Sequence, residues 1–380
     1  MRASAALGVT GFSLIAVTYG MARFSWGLML PEVAHDIPFS SRLAGVLTAC
    51  SFAAYCVSII AASLLAQRIG PRLPAIIAAL CAAVGLLLLA LSSSPLMLAN
   101  GLFIAGLSAG LASPALADAV SLMIDIKRQP QVNTIINAGT SAGIIFSVPI
   151  LLFMPGGWRA ACLLFAVIAL ICVIPTLRYL PAGRPARGNE KVSWRATLLQ
   201  KSIARLGTTA FISGMASAAW WSFGPDVLRQ HINVNDTLTS ALWLVSGGAG
   251  IVGALTGPVA ARTGLIQIYR LSQLCMAAPL LLLALSHHFS WWLFPAVALC
   301  GAGYVTLSGV LLVCGASATA NAPAAGVATA FFMLAAGQIA GSVIFGVIYD
   351  AAGAGAALMM FSALPLLMTF FPPGIGGHSR

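Results

Sequence analysis

Twelve stretches of nearly unbroken apolar residues, separated by short polar gaps, set the pattern of this chain. They run near 6–31, 42–66, 73–92, 95–117, 131–154 and 158–180. After a longer polar gap they resume near 204–228, 237–261, 266–286, 290–314, 324–349 and 354–373. Each is about the 20 residues a helix needs to cross hydrocarbon. The runs are rich in Ala, Leu and Gly and lack the ten-residue alternation of an outer-membrane barrel, so each predicts a helix. The expected fold is an all-α polytopic membrane protein with twelve transmembrane helices.

Composition agrees with the pattern. The 380 residues are 60% hydrophobic and 7% charged, and the mean hydropathy is +0.98, whereas soluble domains carry about 25% charged residues. A net charge of +11 would suit nucleic acid binding, but the basic residues sit in the gaps between apolar runs, so membrane topology explains them and no nucleic acid partner is expected. Of the 19 Lys and Arg, fifteen fall on one side of the expected membrane: Arg2, Arg68, Arg72, Lys127, Arg128, Arg178, Arg184, Arg187, Lys191, Arg195, Lys201, Arg205, Arg262, Arg270 and Arg380. Arg42, Arg159 and Arg229 fall on the other. The positive-inside rule makes the first side cytoplasmic, with both termini and the central gap, in a multi-pass protein of the cell (inner) membrane. Arg2 ahead of an apolar segment imitates a secretory signal, but the segment is too long and has a counterpart in the second half.

The remaining basic residue, Arg23, lies inside the first apolar run. It is 8 residues from the run's end at Pro31, roughly 12 Å at 1.5 Å per residue. A charge at that depth costs about 2.5–3.5 kcal/mol on insertion scales, so it faces a cavity or a partner.

The polar gap divides the chain into an N-terminal six-helix bundle (1–180), a cytoplasmic linker (181–203) and a C-terminal six-helix bundle (204–380). Trp194 could sit on a short interfacial helix in that linker. The halves are parallel repeats. A shift of 194 lays Gly20-Met21-Ala22 on Gly214-Met215-Ala216, Trp26 on Trp220, Pro31 on Pro225 and Glu32 on Asp226. The same shift lays Arg68 and Gly70 on Arg262 and Gly264. A shift of 198 lays Ala138-Gly139 and Ala142-Gly143 on Ala336-Gly337 and Ala340-Gly341. Two six-helix repeats related by an axis along the membrane normal are a transporter arrangement.

These residues carry a family resemblance over essentially the whole chain. The loop after the second helix, with Arg68, Gly70 and Arg72, and its repeat, with Arg262 and Gly264, resemble the gating-loop motif of the major facilitator superfamily. Gly157-Trp158-Arg159 resembles that family's opening of helix 6, and Gly346 to Gly353 its close of helix 11. Tyr19-Gly20-Met21-Ala22-Arg23-Phe24, followed by Gly27 and Leu30-Pro31, resembles a bacterial branch called YbfB-like. Gln67 and Ala261 stand where the family's loop has Asp, and the antiporter motif of helix 5 is reduced to Gly139, Gly143 and Pro149. The resemblance implies the major facilitator fold, with helices 1, 2, 4, 5, 7, 8, 10 and 11 around a central cavity, and transport by rocking-bundle alternating access. It also implies that the glycine pairs Gly139/Gly143, Gly253/Gly257 and Gly337/Gly341, spaced for close helix approach, line the interface between the halves.

Several patterns imitate other chemistry. Gly106-Leu107-Ser108-Ala109-Gly110 matches a nucleophile elbow but lies inside an apolar helix. Gly248-Ala249-Gly250-Ile251-Val252-Gly253 matches a dinucleotide fingerprint with no strand before it. The eight cysteines fall in apolar runs without metal-ligand spacing, His287-His288 marks an interface, and Asn235-Asp236-Thr237 is a formal sequon. Neither enzyme activity nor a cofactor nor a metal is expected, and the protein is expected to act as a monomer in the lipid bilayer.

Tyr19, Arg23 and Trp26 share one face of a regular first helix, at i, i+4 and i+7. Their repeat mates are Ser213, Ser217 and Trp220. The other candidates for a substrate site are Tyr55, Asn133, Asn137, Trp243, Tyr304, Phe332 and Gln338. Asp118 is the one acid near enough to mid-membrane to couple a proton or counter-transported solute. The reading is a secondary transporter for a small organic solute, an anion or carboxylate, with Arg23 as positive pole. The rivals are a broad-specificity efflux pump for apolar compounds, indifferent to Arg23, and a non-transporting sensor or assembly factor of the same fold.

Overall fold

The computed structural model describes residues 2–125, 128–183, 201–255, 263–318 and 323–373, and among them every regular element is a helix. The first helix, α1, passes through Arg2–Ile15, a π-helix at Ala16–Phe24, and Ser25–Asp36 without a break. It is followed by α2 (Ser41–Ile69), α3 (Arg72–Ala90), α4 (Pro95–Met123), α5 (Gln129–Phe153) and α6 (Gly157–Tyr179). In the second half come α7 (Lys201–Gln230), α8 (Asp236–Ala249, passing into a 3₁₀ turn at Gly250–Leu255), α9 (Leu265–Leu285) and α10 (Leu293–Ala318). The last helical stretch, Pro323–Met368, is two helices divided at Gly353, whose φ of 84° breaks the spiral. These are α11 (323–352) and α12 (354–368).

Local chemistry accounts for the boundaries. Ser94 accepts from the Met97 N–H ahead of Pro95, and Asn235 accepts from the Leu238 N–H at 2.9 Å. Each is an N-cap relieving an orphan donor, so the formal sequon at Asn235 is a helix start. Gly70, which follows α2, and Gly264, which precedes α9, stand one repeat apart and both take a positive φ, 77° and 85°.

Among the described residues, nine helical stretches are long and apolar enough to cross a membrane. Three departures from the expected spans stand out. The first span is 32 residues long, Ala5–Asp36. The eighth loosens into a 3₁₀ turn after 14 residues, and the last two are parted by Gly353 alone, with no polar loop between them. The elbow-like Ser108 lies within α4 and donates to the Ala105 carbonyl. The fingerprint glycines Gly248 and Gly250 lie at the end of α8.

The chain forms two compact units, Met1–Phe39 with Val46–Arg187, and Ser40–Gly45 with Gly188–Arg380. Each has its own core, around Leu14, Ala78, Leu116 and Ile136 in the first and Leu206, Tyr269, Leu307 and Leu334 in the second. Their outward faces are apolar too, with Val84, Val167 and Ile171 exposed on the first and Leu271, Leu282 and Met360 on the second. Apolar residues both inside and out are what hydrocarbon as solvent demands.

The glycine pairs do something other than expected. A Cβ on Gly143 would sit 2.8 Å from Gly20 Cα, and one on Gly139 would meet the Phe12 carbonyl. In the second unit, Gly337 lies against Phe211 and Met215, Gly341 against Met215, and Gly214 against Leu334. The repeat blocks therefore pack on each other, α1 on α5 and α7 on α11, inside each unit. The expectation that Gly139/Gly143 and Gly337/Gly341 line the surface between the halves is corrected, because the backbone each lets in belongs to its own unit. Gly257 lies outside the described residues, as do Arg262, Trp194 and the linker from 184 to 200.

Candidate functional site

The expected regular spiral through Tyr19, Arg23 and Trp26 is replaced by π-helical turns, in which the Ser25 N–H bonds to the Gly20 carbonyl five residues back. Such turns are uncommon and collect at functional positions. The Thr18 hydroxyl donates to the Leu14 carbonyl at 2.8 Å and Ser25 to that of Met21, supplying donors where the ladder is re-registered. With the turn closed at i+5, residues i+4 and i+5 flank the position above i. Both Arg23 and Phe24 accordingly come near the level of Tyr19.

Arg23 is 7% exposed and is the one charged side chain in the buried set among the described residues. Its guanidinium carbon lies 4.5 Å from the centroid of Tyr55, 4.8 Å from Phe52, 5.4 Å from Phe24 and 5.7 Å from Tyr19. The rings of Tyr19 and Tyr55 meet edge-on, and the Tyr19 hydroxyl donates to that of Tyr55 at 3.4 Å. Four ring faces replace part of the hydration a cation loses on burial. One turn before Tyr55 on α2, Ser51 is buried, and its hydroxyl is not hydrogen-bonded to any described group. Trp26 is also turned towards α2, where its indole N–H donates to the Thr48 hydroxyl at 2.8 Å.

The second unit builds the equivalent place from neutral groups. The Trp220 N–H donates to Ser246 on α8 at 2.8 Å, repeating the Trp26 bond. Trp220 and Trp221 lie 5.6 and 5.4 Å from Trp243, and Trp221 lies 5.5 Å from Tyr304. Gln338 donates to Tyr304 at 3.1 Å and to Ser217 at 3.2 Å, while Gln273 donates to Ser213 at 2.7 Å. A shallow crevice beside them is lined by Ser217, Trp220, Trp221, Met276, Cys300 and Tyr304 among others. The Trp243 N–H is buried without a hydrogen-bond partner among the described residues.

The structure thus brings Tyr19, Arg23 and Tyr55 together in the first unit, and Trp220, Trp243, Tyr304 and Gln338 in the second. Phe332 is half-buried on α11, and Asn133 and Asn137 stand apart on α5, half-buried and exposed. Asp118 is half-buried on α4, with no ion pair or side-chain hydrogen bond among the described residues. Sequence reasoning missed Phe24, Phe52, Trp221 and Gln273. Phe52 was findable, since it lies three residues before Tyr55 on the same helix face.

At the loop after α2, Arg72 Nε donates to the Leu180 carbonyl at 2.7 Å, and a Cβ on Gly70 would come within 2.6 Å of the Ala182 carbonyl. This loop therefore holds the chain as it leaves α6. Arg68 belongs to α2, and its side chain lies outside what is described. At the opposite end of the same unit, Asp36 accepts from the Trp158 N–H at 2.9 Å and from Arg159 at 2.7 Å, and Arg159 also donates to the Ser92 carbonyl at 2.9 Å.

Two helical units with lipid-facing apolar surfaces, one of them enclosing a caged cation, define a multi-pass membrane protein with the architecture of a solute carrier. The chain belongs to the Major Facilitator Superfamily, whose family model matches residues 12–345. It is similar in fold to the nucleoside transporter NupG, with a TM-score of 0.75 and 15% identity over 97% of this chain and 98% of that one. It is similar also to a POT family transporter in complex with 5-aminolevulinic acid, with a TM-score of 0.79 and 14% identity over 97% and 95%. The human organic anion transporter MFSD10 (TETRAN) gives 0.68 and 16% over 97% and 99%. No curated protein matches the chain by sequence.

Proposed function

We propose that the protein is a secondary transporter that moves a small organic anion, a carboxylate, across the cell (inner) membrane by alternating access. Arg23 is the positive pole of its substrate site. The observation that carries this reading is the buried guanidinium of Arg23, set in π-helical turns among four rings. An apolar membrane helix keeps a charge at that depth where the charge has a task. A similar fold in a protein described as an organic anion transporter supports the reading. The Tyr19–Phe24 stretch supports placement in the YbfB-like branch, and the distribution of Lys and Arg supports cytoplasmic termini. In this scheme the protein works as a monomer, Arg72 and Gly70 fix the loop that limits movement, and Asp118 carries the coupling proton.

Flux into proteoliposomes of a panel of mono- and dicarboxylates, compared among wild type, Arg23→Ala and Arg23→Lys, tests the proposal. The expected result is loss of flux in Arg23→Ala and partial retention in Arg23→Lys. Equal flux in all three would defeat it. The aromatic crevice of the second unit favours one second reading, an efflux pump for apolar compounds. That reading predicts flux of neutral aromatic solutes unaffected by either substitution.

A further inference from the structure

We propose that His231 and His287 form a binding site for a divalent transition metal ion of the zinc, nickel and copper class, at the end of the second unit where α7 and α9 finish. In the sequence His287-His288 stands alone without ligand spacing, because its partner comes from another helix. His231 directly follows α7, which ends at Gln230, and His287 lies in the connection from α9, which ends at Leu285, to α10.

The spacing of the rings fits a shared ion. Their centroids are 5.4 Å apart and their planes are inclined by 69°. Two imidazoles on one tetrahedral zinc, each bound through nitrogen at about 2.0–2.1 Å, hold their centroids roughly 5 Å apart. The two helix ends therefore already stand at the separation that an ion between the rings requires.

A second observation comes from the far side of His231. This half-buried ring has its Nε2 3.3 Å from the Ala284 carbonyl oxygen. A carbonyl oxygen only accepts, so Nε2 carries the proton and donates, and Nδ1 keeps its lone pair. A metal-ligating histidine is characteristically held by such an outer hydrogen bond, which sets both its tautomer and its orientation. The same ring is also confined by the start of α12, since a Cβ on Gly355 would come within 3.3 Å of its Cε1. His287 is the adaptable ligand. It is exposed, and its ring meets His231 and no other group among the described residues, so it turns a nitrogen towards the ion at little cost. The positive charge of Arg229, two residues before His231, is matched by Asp236 at 3.1 Å.

The donor set selects the ion. Imidazole suits zinc, copper and nickel, whereas magnesium and calcium take oxygen ligands. No group of three or more His, Cys, Asp or Glu gathers among the described residues, so water fills the remaining positions of the ion. An ion bound there ties the end of α7 to the connection between α9 and α10.

Calorimetric titration of the full-length protein, purified in detergent without a histidine tag, tests the site with NiCl₂, ZnCl₂ and MgCl₂. Nickel is the deciding probe, because the eight cysteines present in every variant favour zinc. Wild type is expected to bind nickel and zinc with Kd below about 1 mM and to show no magnesium binding. His231→Gln, whose amide N–H still reaches for the Ala284 carbonyl, and His287→Ala should each weaken nickel binding at least about tenfold. His35→Ala, which removes a histidine of the first unit beside Asp36, should leave it unchanged. Nickel binding as tight in His287→Ala as in wild type, or abolished by His35→Ala, would overturn the assignment. So would magnesium bound as tightly as nickel, or no nickel binding at about 1 mM. Because His287 is exposed, its variant is expected to fold, and it decides the question even where His231→Gln does not.

Discussion

Replacing Arg23 with methionine separates a functional charge from a structural one. On insertion scales the buried guanidinium costs about 2.5–3.5 kcal/mol. Four rings lie within cation–π range of it, and at roughly 0.5–1 kcal/mol each they return about 2–4 kcal/mol. The two sums nearly cancel, so the cage makes the charge tolerable without making it a source of stability. Methionine occupies similar volume, needs no hydrogen bond and packs well on aromatic rings. Arg23→Met should therefore leave folding stability within about 1–2 kcal/mol of wild type, in line with buried ion pairs that can be replaced by apolar side chains.

Transport should behave differently. A carboxylate that loses its charge-assisted hydrogen bonds loses about 1.5–3 kcal/mol, roughly tenfold to a hundredfold in affinity. Arg23→Lys keeps the charge but loses the planar fork, and should fall between the two. Thermal unfolding in detergent and carboxylate flux in proteoliposomes, measured on the same preparations, read the two quantities independently. A folded Arg23→Met with full flux refutes the functional assignment. An Arg23→Met that cannot be folded, while Arg23→Lys folds normally, refutes the energetic balance and makes the arginine a structural pin.

Gly143→Val should open the α1/α5 seam, because the added atoms meet the Gly20 and Ala16 backbones. A loss of about 3 kcal/mol or more, or no folded protein, is expected on thermal unfolding, against no measurable change for Gly8→Ala, where nothing lies within 4 Å. Gly70→Ala should cost more than Gly264→Ala in the same measurement. Both take a positive φ that disfavours a Cβ, but the Gly70 position adds a 2.6 Å approach to the Ala182 carbonyl, whereas nothing lies within 4 Å at Gly264. Asp36→Asn should lower the melting temperature by a few degrees, equivalent to about 1 kcal/mol for a partly exposed pair, since it weakens the link to Arg159 while sparing one acceptor for Trp158. Asp118→Asn should abolish accumulation driven by a pH gradient while leaving carboxylate exchange at equal pH intact. Unchanged accumulation would take the coupling role from Asp118.

The parts of the fold that were legible were those where backbone meets backbone. Gly20, Gly139 and Gly143, with their mates Gly214, Gly337 and Gly341, stood out because a close helix crossing tolerates few other residues. They proved to be the α1/α5 and α7/α11 seams. What they touch was not legible, because small-residue spacing says that a helix comes near without saying which. Nor was the π-helix at Ala16–Phe24 legible, since in an apolar run too few polar positions remain to distinguish one helical period from another. Arg23 was legible because a charge in hydrocarbon is expensive wherever it points.

The asymmetry between the repeats carries the argument one step further. At the positions of Tyr19 and Arg23 the second half has Ser213 and Ser217, two small side chains where the first half has two large ones. The missing volume and polarity come from other helices, as Gln273 reaches Ser213 from α9 and Gln338 reaches Ser217 from α11. Tyr304 and the chain of Trp221, Trp243 and Trp220 complete the filling. Both units thus surround the same glycine seam and the same tryptophan-to-hydroxyl bond with a packed mixture of rings and hydrogen bonds. Only the first adds a net charge. An uncharged glutamine at the crossing of helices is therefore enough to pack a half of this fold, and the guanidinium of Arg23 exceeds what packing requires.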